Sequence, residues 1–353
     1  MNEKRIPYGR QWVDSRDLEA VVDVLRSDRL TQGREVEAFE HDLAAYCGAR
    51  IAVAVSSGTA ALHLACLALG TNGDVITSPL SFLASANSII YAGGRPLFVD
   101  IDPATYNVSL DGLERLVTTY PAPDRLRGIT AVHFAGLPCD VERIREIANR
   151  AGLFVLEDAC HALGATWTDG SGTEHRIGDC AFSDAAVFSF HPVKHITTGE
   201  GGAILTNRPD VAELCRTLRA HGVVRGLDGA PSWFYEMTEL GFNYRITDLQ
   251  CALGRSQIQK LDDFVESRRR IAIQYDGAFG KRSDLVIPPT SPGMRHAYHL
   301  YPIQVDERDA VFELLQDRGI DPQVHFIPIH LQPYYRKEYG HGPGDFPEAE
   351  AYF

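Results

Sequence analysis

Seven short apolar runs, each parted from the next by helical patterning or turn residues, constrain this chain more than any other feature. They occupy residues 51–55, 74–78, 96–101, 129–134, 153–158, 185–190 and 201–207. Each is rich in Val, Ile, Leu, Phe or Ala and poor in polar residues, as strands covered on both faces are. Over residues 140–150, Val141, Ile144, Ile147 and Ala148 share one helical face, and Gly152 supplies a stop. The pattern predicts an α/β fold on a mostly parallel seven-stranded sheet flanked by helices.

With 353 residues, 44% of them apolar, the chain can build one large domain and a smaller one. Its character changes after Arg245. Residues 247–279 read as one long helix opening at a Thr247 cap, and HLYPIQV, DAVFELLQDRG and DPQVHF then read as strand, helix and strand. The expected division is a large domain over 1–246, with a linking helix and a small C-terminal α/β domain over 247–353. The final EAEAYF reads as the opening of a helix, so the C-terminus is expected to be truncated, with further chain beyond it.

A formal charge of -13 repels phosphate backbones and anionic lipid, which argues against nucleic-acid and membrane partners. No run approaches the roughly 20 apolar residues of a membrane span, and MNEKRIPYGRQW lacks the apolar core of a signal peptide. A cytoplasmic protein is expected. Seven scattered cysteines without a CxxC pair read as reduced thiols, with neither a disulfide framework nor a metal site.

Three motifs carry chemistry. Ser56-Ser57-Gly58-Thr59 stands between an apolar run and a helix, where free N–H groups and the helix dipole favour a phosphate, and Ser57 and Thr59 can add hydroxyls. Alone, it is also an ordinary serine-rich cap. Asp158, in EDACHALGA, ends an apolar strand at the edge where α/β sheets bind ligands, and a carboxylate there needs a cationic partner such as a pyridinium nitrogen. It too can be read as a helix cap. Lys194, in FSFHPVKHITTGEGGAI, follows a buried strand and precedes a glycine-rich turn, so its amine is partly desolvated and suited to Schiff-base chemistry. A solvated loop lysine is the simpler reading of that residue by itself, but three such signals in one fold favour a site.

Together these motifs, with SSGTAALHLA and NYRITDLQCALG in order along nearly the whole chain, resemble the DegT/StrS group of sugar aminotransferases, within the fold type I pyridoxal phosphate (PLP) enzymes. The resemblance implies PLP as cofactor, Lys194 as the lysine bonded to it, Asp158 against the pyridine nitrogen, and Gly58, Thr59 and Ser189 at the phosphate. It also implies Phe82 against the cofactor ring and His161 near the ring hydroxyl, where many relatives carry glutamine. Read alone, Phe82 is a core residue and His161 a structural histidine. Asn243 and Arg245 resemble the segment that family members reach across a two-fold homodimer, with the asparagine touching the neighbour's cofactor phosphate. Within the family, LTQGREVEAFE, HLYPI and GIDPQVHFIPIHLQPYY look most like the transaminases of the pseudaminic acid pathway. That likeness puts His325 and Tyr334 near a sugar nucleotide.

The reaction so implied moves the amino group of L-glutamate to a nucleotide-linked 4-keto-6-deoxy sugar, UDP-linked in the pseudaminic acid type and dTDP- or GDP-linked in the alternative. Two other readings share the scaffold: a sugar dehydratase, in which histidine commonly replaces the lysine, and a non-catalytic sensor. Lys194 stands at the family's usual distance before the Thr-Gly-Glu-Gly-Gly turn, which argues against the first, and the intact set of Asp158, Ser189 and Lys194 argues against the second. The sequence identifies no residue for the donor's carboxylate.

Overall fold

The computed structural model describes residues 5–226 and 228–353. Its centre is a sheet of seven strands: β1 (Ile51–Val55), β2 (Asp74–Thr77), β3 (Arg95–Phe98), β4 (Leu126–Val132), β5 (Phe154–Asp158), β6 (Ala185–Ser189) and β7 (Gly202–Thr206). They lie in the order β1-β7-β6-β5-β4-β2-β3. Only β7 runs against its neighbours; β2 to β6 pair in parallel. Because β1 and β6 both oppose β7, the carboxyl ends of the other six strands gather at one edge.

Strand periodicity explains why both faces are covered. Ala52 and Ala54 face one core, Val53 and Val55 the other; Val155 and Ala186 face the first, Leu156 and Val187 the second. The first core is closed by α2 (Arg34–Cys47), α5 (Leu110–Thr119) and α6 (Val141–Ala151), and the second by α3 (Gly58–Ala68), α4 (Ala84–Tyr91) and α7 (Pro209–Arg219). Each fully buried Val, Leu or Phe on these faces contributes about 1.5–3 kcal/mol. The helix expected around 140–150 is α6, capped by the Asp140 side chain and stopped by Gly152 at φ 66.

The long helix expected over 247–279 is two helices, α8 (Asp248–Ile258) and α9 (Leu261–Phe279). Thr247 caps α8 in a reciprocal capping box with Gln250, as expected. The break falls at Gln259 and Lys260, and Lys260 is buried against α1 (Ser15–Leu25) and its cap, with Nζ 2.6 Å from Asp17 and 3.1 Å from Asp14. Burial alone would raise the Asp17 carboxyl, but Lys260 and the Asp14 backbone outweigh it and hold it below its ordinary 3.8. Removing the cation leaves Asp17 buried without its charge partner, so Lys260→Met is expected to destabilise by about 3–5 kcal/mol in denaturant unfolding. A carboxyl held low contributes stability above its unfolded value and loses it as pH falls through the folded one, so the difference between wild type and variant should shrink below about pH 4.

Past α9, the expected strand, helix and strand resolve to one helix, α10 (Arg308–Asp317). HLYPIQV forms a single isolated bridge, Gln304 with Val286, and the one beside DPQVHF joins Ile6 to the preceding Ile320. Two proline-started helices follow, α11 (Pro333–Tyr339) and α12 (Pro347–Tyr352); Tyr335 and Ile329 pack with Ala86 and Phe98 of the sheet body. No helix of the described residues is long and apolar enough to cross a membrane.

Candidate active site

At the carboxyl edge, strand alternation separates the two acids of the EDACH motif. Glu157 turns into one face, where it lies 2.9 Å from His133 Nε2 and accepts from Ser183. Asp158 turns to the other. It accepts a 2.6 Å bond from Ser85 Oγ, itself 2.6 Å from Ser81 Oγ, and a 3.2 Å bond from the Cys160 amide. These donors orient a buried carboxylate and leave it room for a cation.

The Ser56–Thr59 turn leaves β1 and opens α3. Ser57 is the N-cap, accepting from the Ala60 amide, so the helix begins with N–H groups that have no partner within it. Gly58 is required here: a Cβ would stand 2.8 Å from Ser189 Cβ and 3.1 Å from Ser189 Oγ. Gly202 is required on the other side, where a Cβ would meet the Ser57 carbonyl oxygen at 2.4 Å. Two missing side chains thus bring the start of α3 and the hydroxyl of Ser189 into one cradle.

Lys194 follows β6 on a turn closed by its own amide to the His191 carbonyl at 2.9 Å. Thr197 Oγ1 donates to the Phe190 carbonyl at 3.2 Å and accepts from the Gly199 amide at 2.9 Å, which fixes the glycine-rich loop after it. Burial pulls the Lys194 ammonium below the usual lysine value, against the opposing pull of Cys160 and Asp158. Its Nζ lies 3.4 Å from His299 Nε2. The His299 and His161 rings lie tilted against each other with centroids 4.5 Å apart, and burial together with the adjacent Lys194 holds both well below the ordinary imidazole value, so they are neutral at pH 7. His195 donates to or accepts from nothing near Lys194; its Nε2 is bound to the Ala297 carbonyl at 3.0 Å.

Phe82 is 56% exposed, which corrects the reading of it as core, and its ring is 6.1 Å from Phe326, which in turn stacks 6.1 Å from His161. His325 joins this group, 3.0 Å from the Tyr8 hydroxyl, and burial lowers it to about 4. Gly58, Ser189, Asp158, Lys194, His161, Phe82 and His325 therefore converge, and Thr59 stands exposed at the same helix start. Asn243 and Arg245 do not join them through their side chains; their segment passes beside the cradle, with the Tyr244 carbonyl accepting from the Ser56 amide at 2.9 Å. Tyr334 stays apart too, 53% exposed on α11, while its neighbour Tyr335 packs inward. His299 went unnoticed in the sequence because HLYPI reads as a strand, and nothing local says it returns to a lysine 105 residues earlier.

This set fits pyridoxal phosphate by its own chemistry. An unpartnered helix start and a hydroxyl form a space that a single Cβ would fill, a buried acid is aimed beyond its own hydrogen bonds, and a desolvated amine stands nearby. The family model described as DegT/DnrJ/EryC1/StrS aminotransferase family matches residues 11–353.

The chain belongs to that family.

As a DegT/DnrJ/EryC1/StrS aminotransferase it is a pyridoxal-phosphate-dependent sugar aminotransferase of the α/β class. It is 36% identical to the UDP-4-amino-4,6-dideoxy-N-acetyl-beta-L-altrosamine transaminase of Campylobacter jejuni, across 95% of this chain and 87% of that one. It is also 36% identical to the GDP-perosamine synthase of Caulobacter vibrioides, across 94% of this chain and 87% of that one. Among solved structures, Helicobacter pylori PseC, an aminotransferase involved in the biosynthesis of pseudoaminic acid, superimposes with a TM-score of 0.89 at 31% identity, over 99% of this chain and 92% of that one.

Proposed function

We propose that this family member transfers the amino group of L-glutamate to a UDP-linked 4-keto-6-deoxy sugar, with Lys194 and Asp158 as its catalytic residues. The meeting of Lys194, Asp158 and the Gly58–Ser189 cradle at one sheet edge carries the reading. Pyridoxal phosphate, when bound, supplies an aldehyde for amine exchange and a ring that draws electrons from the adjoining carbon. Lys194 Nζ would take the proton from the amino-bearing carbon and return it to the cofactor carbon on the far side of the amine nitrogen; its lowered pKa makes the free amine easier to reach. Asp158 holds positive charge on the ring nitrogen, and the Ser85 hydroxyl and Cys160 amide keep it in place. The first amides of α3, with Thr59 and Ser189, hold the phosphate, Phe82 covers the ring, and His161 sits near its hydroxyl.

Two copies complete each site in this proposal. Asn243 bridges Ala220 through its backbone, but its side chain is exposed beside the cradle with no partner among the described residues, and Arg245 lies two residues on. The stretch before them carries Trp233 at 73% and Leu240 at 81% exposure, the kind of apolar surface a homodimer covers. His325 lies toward the sugar nucleotide; Tyr334 reaches it only if α11 moves or a partner brings the nucleotide to it. The proposed location is the cytoplasm, a reducing compartment that suits the seven free cysteines.

The test is a panel. Purified enzyme, glutamate and UDP-, dTDP- and GDP-linked 4-keto sugars are mixed and 2-oxoglutarate release is followed. The fastest release is expected with a UDP-linked substrate; preference for a GDP- or dTDP-linked one would refute the nucleotide, and no release with any would refute the proposed reaction.

A further inference from the structure

The groups described so far leave the amino donor's negative ends without a counter-ion. A cavity of about 350 Å³ adjoins Lys194, and Arg10, Trp12, Lys194, His195, Phe264 and Arg268 are among the residues that line it. No Asp or Glu lines it, in a chain whose formal charge is -13. Its size is at the low end for ligand cavities, which suits a small amino acid and excludes a whole nucleotide-linked sugar.

Of the two arginines that line this cavity, Arg10 is exposed and Arg268, on α9, is the half-buried one. Its Nη1 donates to the carbonyls of Tyr298 at 3.2 Å and His299 at 3.1 Å, which pins the guanidinium beside the residue that touches Lys194. Two nearby arginines are neutralised: Arg269 pairs with Glu266 at 3.6 Å, and Arg295 with the same carboxylate at 3.1 Å. Arg268 has no such carboxylate among the described residues. The groups that face it are Lys194, His195 and His299, none of them anionic, and the Tyr8 hydroxyl from the N-terminal segment. A guanidinium taken this far out of water without a counter-ion is costly unless a ligand supplies one.

We infer that Arg268 binds a carboxylate of the amino donor and holds it beside Lys194, through the fork nitrogens that the Tyr298 and His299 carbonyls leave unengaged. The inference rests on the proposed function and deepens it by naming the donor subsite. Planar bidentate pairing favours a carboxylate over an uncharged group, so an acidic amino acid is selected over an amine without a carboxylate.

The test uses cofactor-loaded Arg268→Gln and Arg268→Lys beside the wild type. Binding of glutarate, a dicarboxylate with no amine to give, is measured by calorimetry, and the two half-reactions are timed separately. In Arg268→Gln, glutarate affinity and the glutamate half-reaction are expected to fall by roughly 10- to 100-fold, the worth of a hydrogen bond to a charged group. Arg268→Lys should recover part of this, and the aminated enzyme should react with keto-sugar at the wild-type rate in both. Unchanged glutarate binding would overturn the inference, as would an equal loss in both half-reactions, which a purely structural support of Tyr298 and His299 would give. A wild type that exchanges its amine with no donor at all would overturn the proposed function first, so the two failures are distinguishable.

Discussion

Lys194→Ala is expected to lower turnover by ~10⁴-fold or more, because one amine performs two tasks. It is proposed to hold the cofactor covalently before the donor arrives and to move the proton afterwards. No neighbour can replace it. His299, 3.4 Å away, is held neutral by burial, and His195 is tied to the Ala297 carbonyl. The side chain contributes only that one long hydrogen bond to the fold, so the variant should unfold as the wild type does. Stopped-flow measurement of the glutamate half-reaction checks the loss, and retained turnover in a correctly folded variant would contradict the role.

Asp158→Asn is expected to slow the same half-reaction by roughly 10²- to 10⁴-fold, the rate equivalent of the 3–5 kcal/mol that breaking a buried charge pair costs. The amide keeps the shape of the carboxylate and can still accept from Ser85, so the pocket survives while the negative charge does not. The loss should appear in rate far more than in glutamate binding, since Asp158 is proposed to act on charge that develops in the ring. An unchanged rate would show that the carboxylate's partner is structural.

The parts of this site that were legible in the sequence are those that local pattern determines. Seven apolar runs gave seven strands because both faces of the sheet are buried, and Asp158, Ser189 and the Ser56–Thr59 turn stand out in the sequence because each sits at a strand end. Which acid of Glu157 and Asp158 faces the site follows from the two-residue period once β5 is placed. What the sequence hides depends on distant chain. The break after Ile258 accompanies the burial of Lys260 against Asp17, 243 residues earlier, and helical periodicity carries no trace of that pairing. HLYPIQV has the composition of a strand but finds no neighbour to form a ladder, since the segments beside it bridge only at single residues. Arg268 looks like one more charge in ESRRRIAIQ, and only the packing of α9 against the segment around His299 separates it from its neighbours.

The covalent attachment point tests the account most directly. Cofactor-loaded protein is reduced with borohydride, digested, and the peptides are weighed by mass spectrometry. The account predicts a phosphopyridoxyl group on the peptide bearing Lys194 and on that lysine alone; attachment at another lysine, or none after saturation with the cofactor, would contradict it.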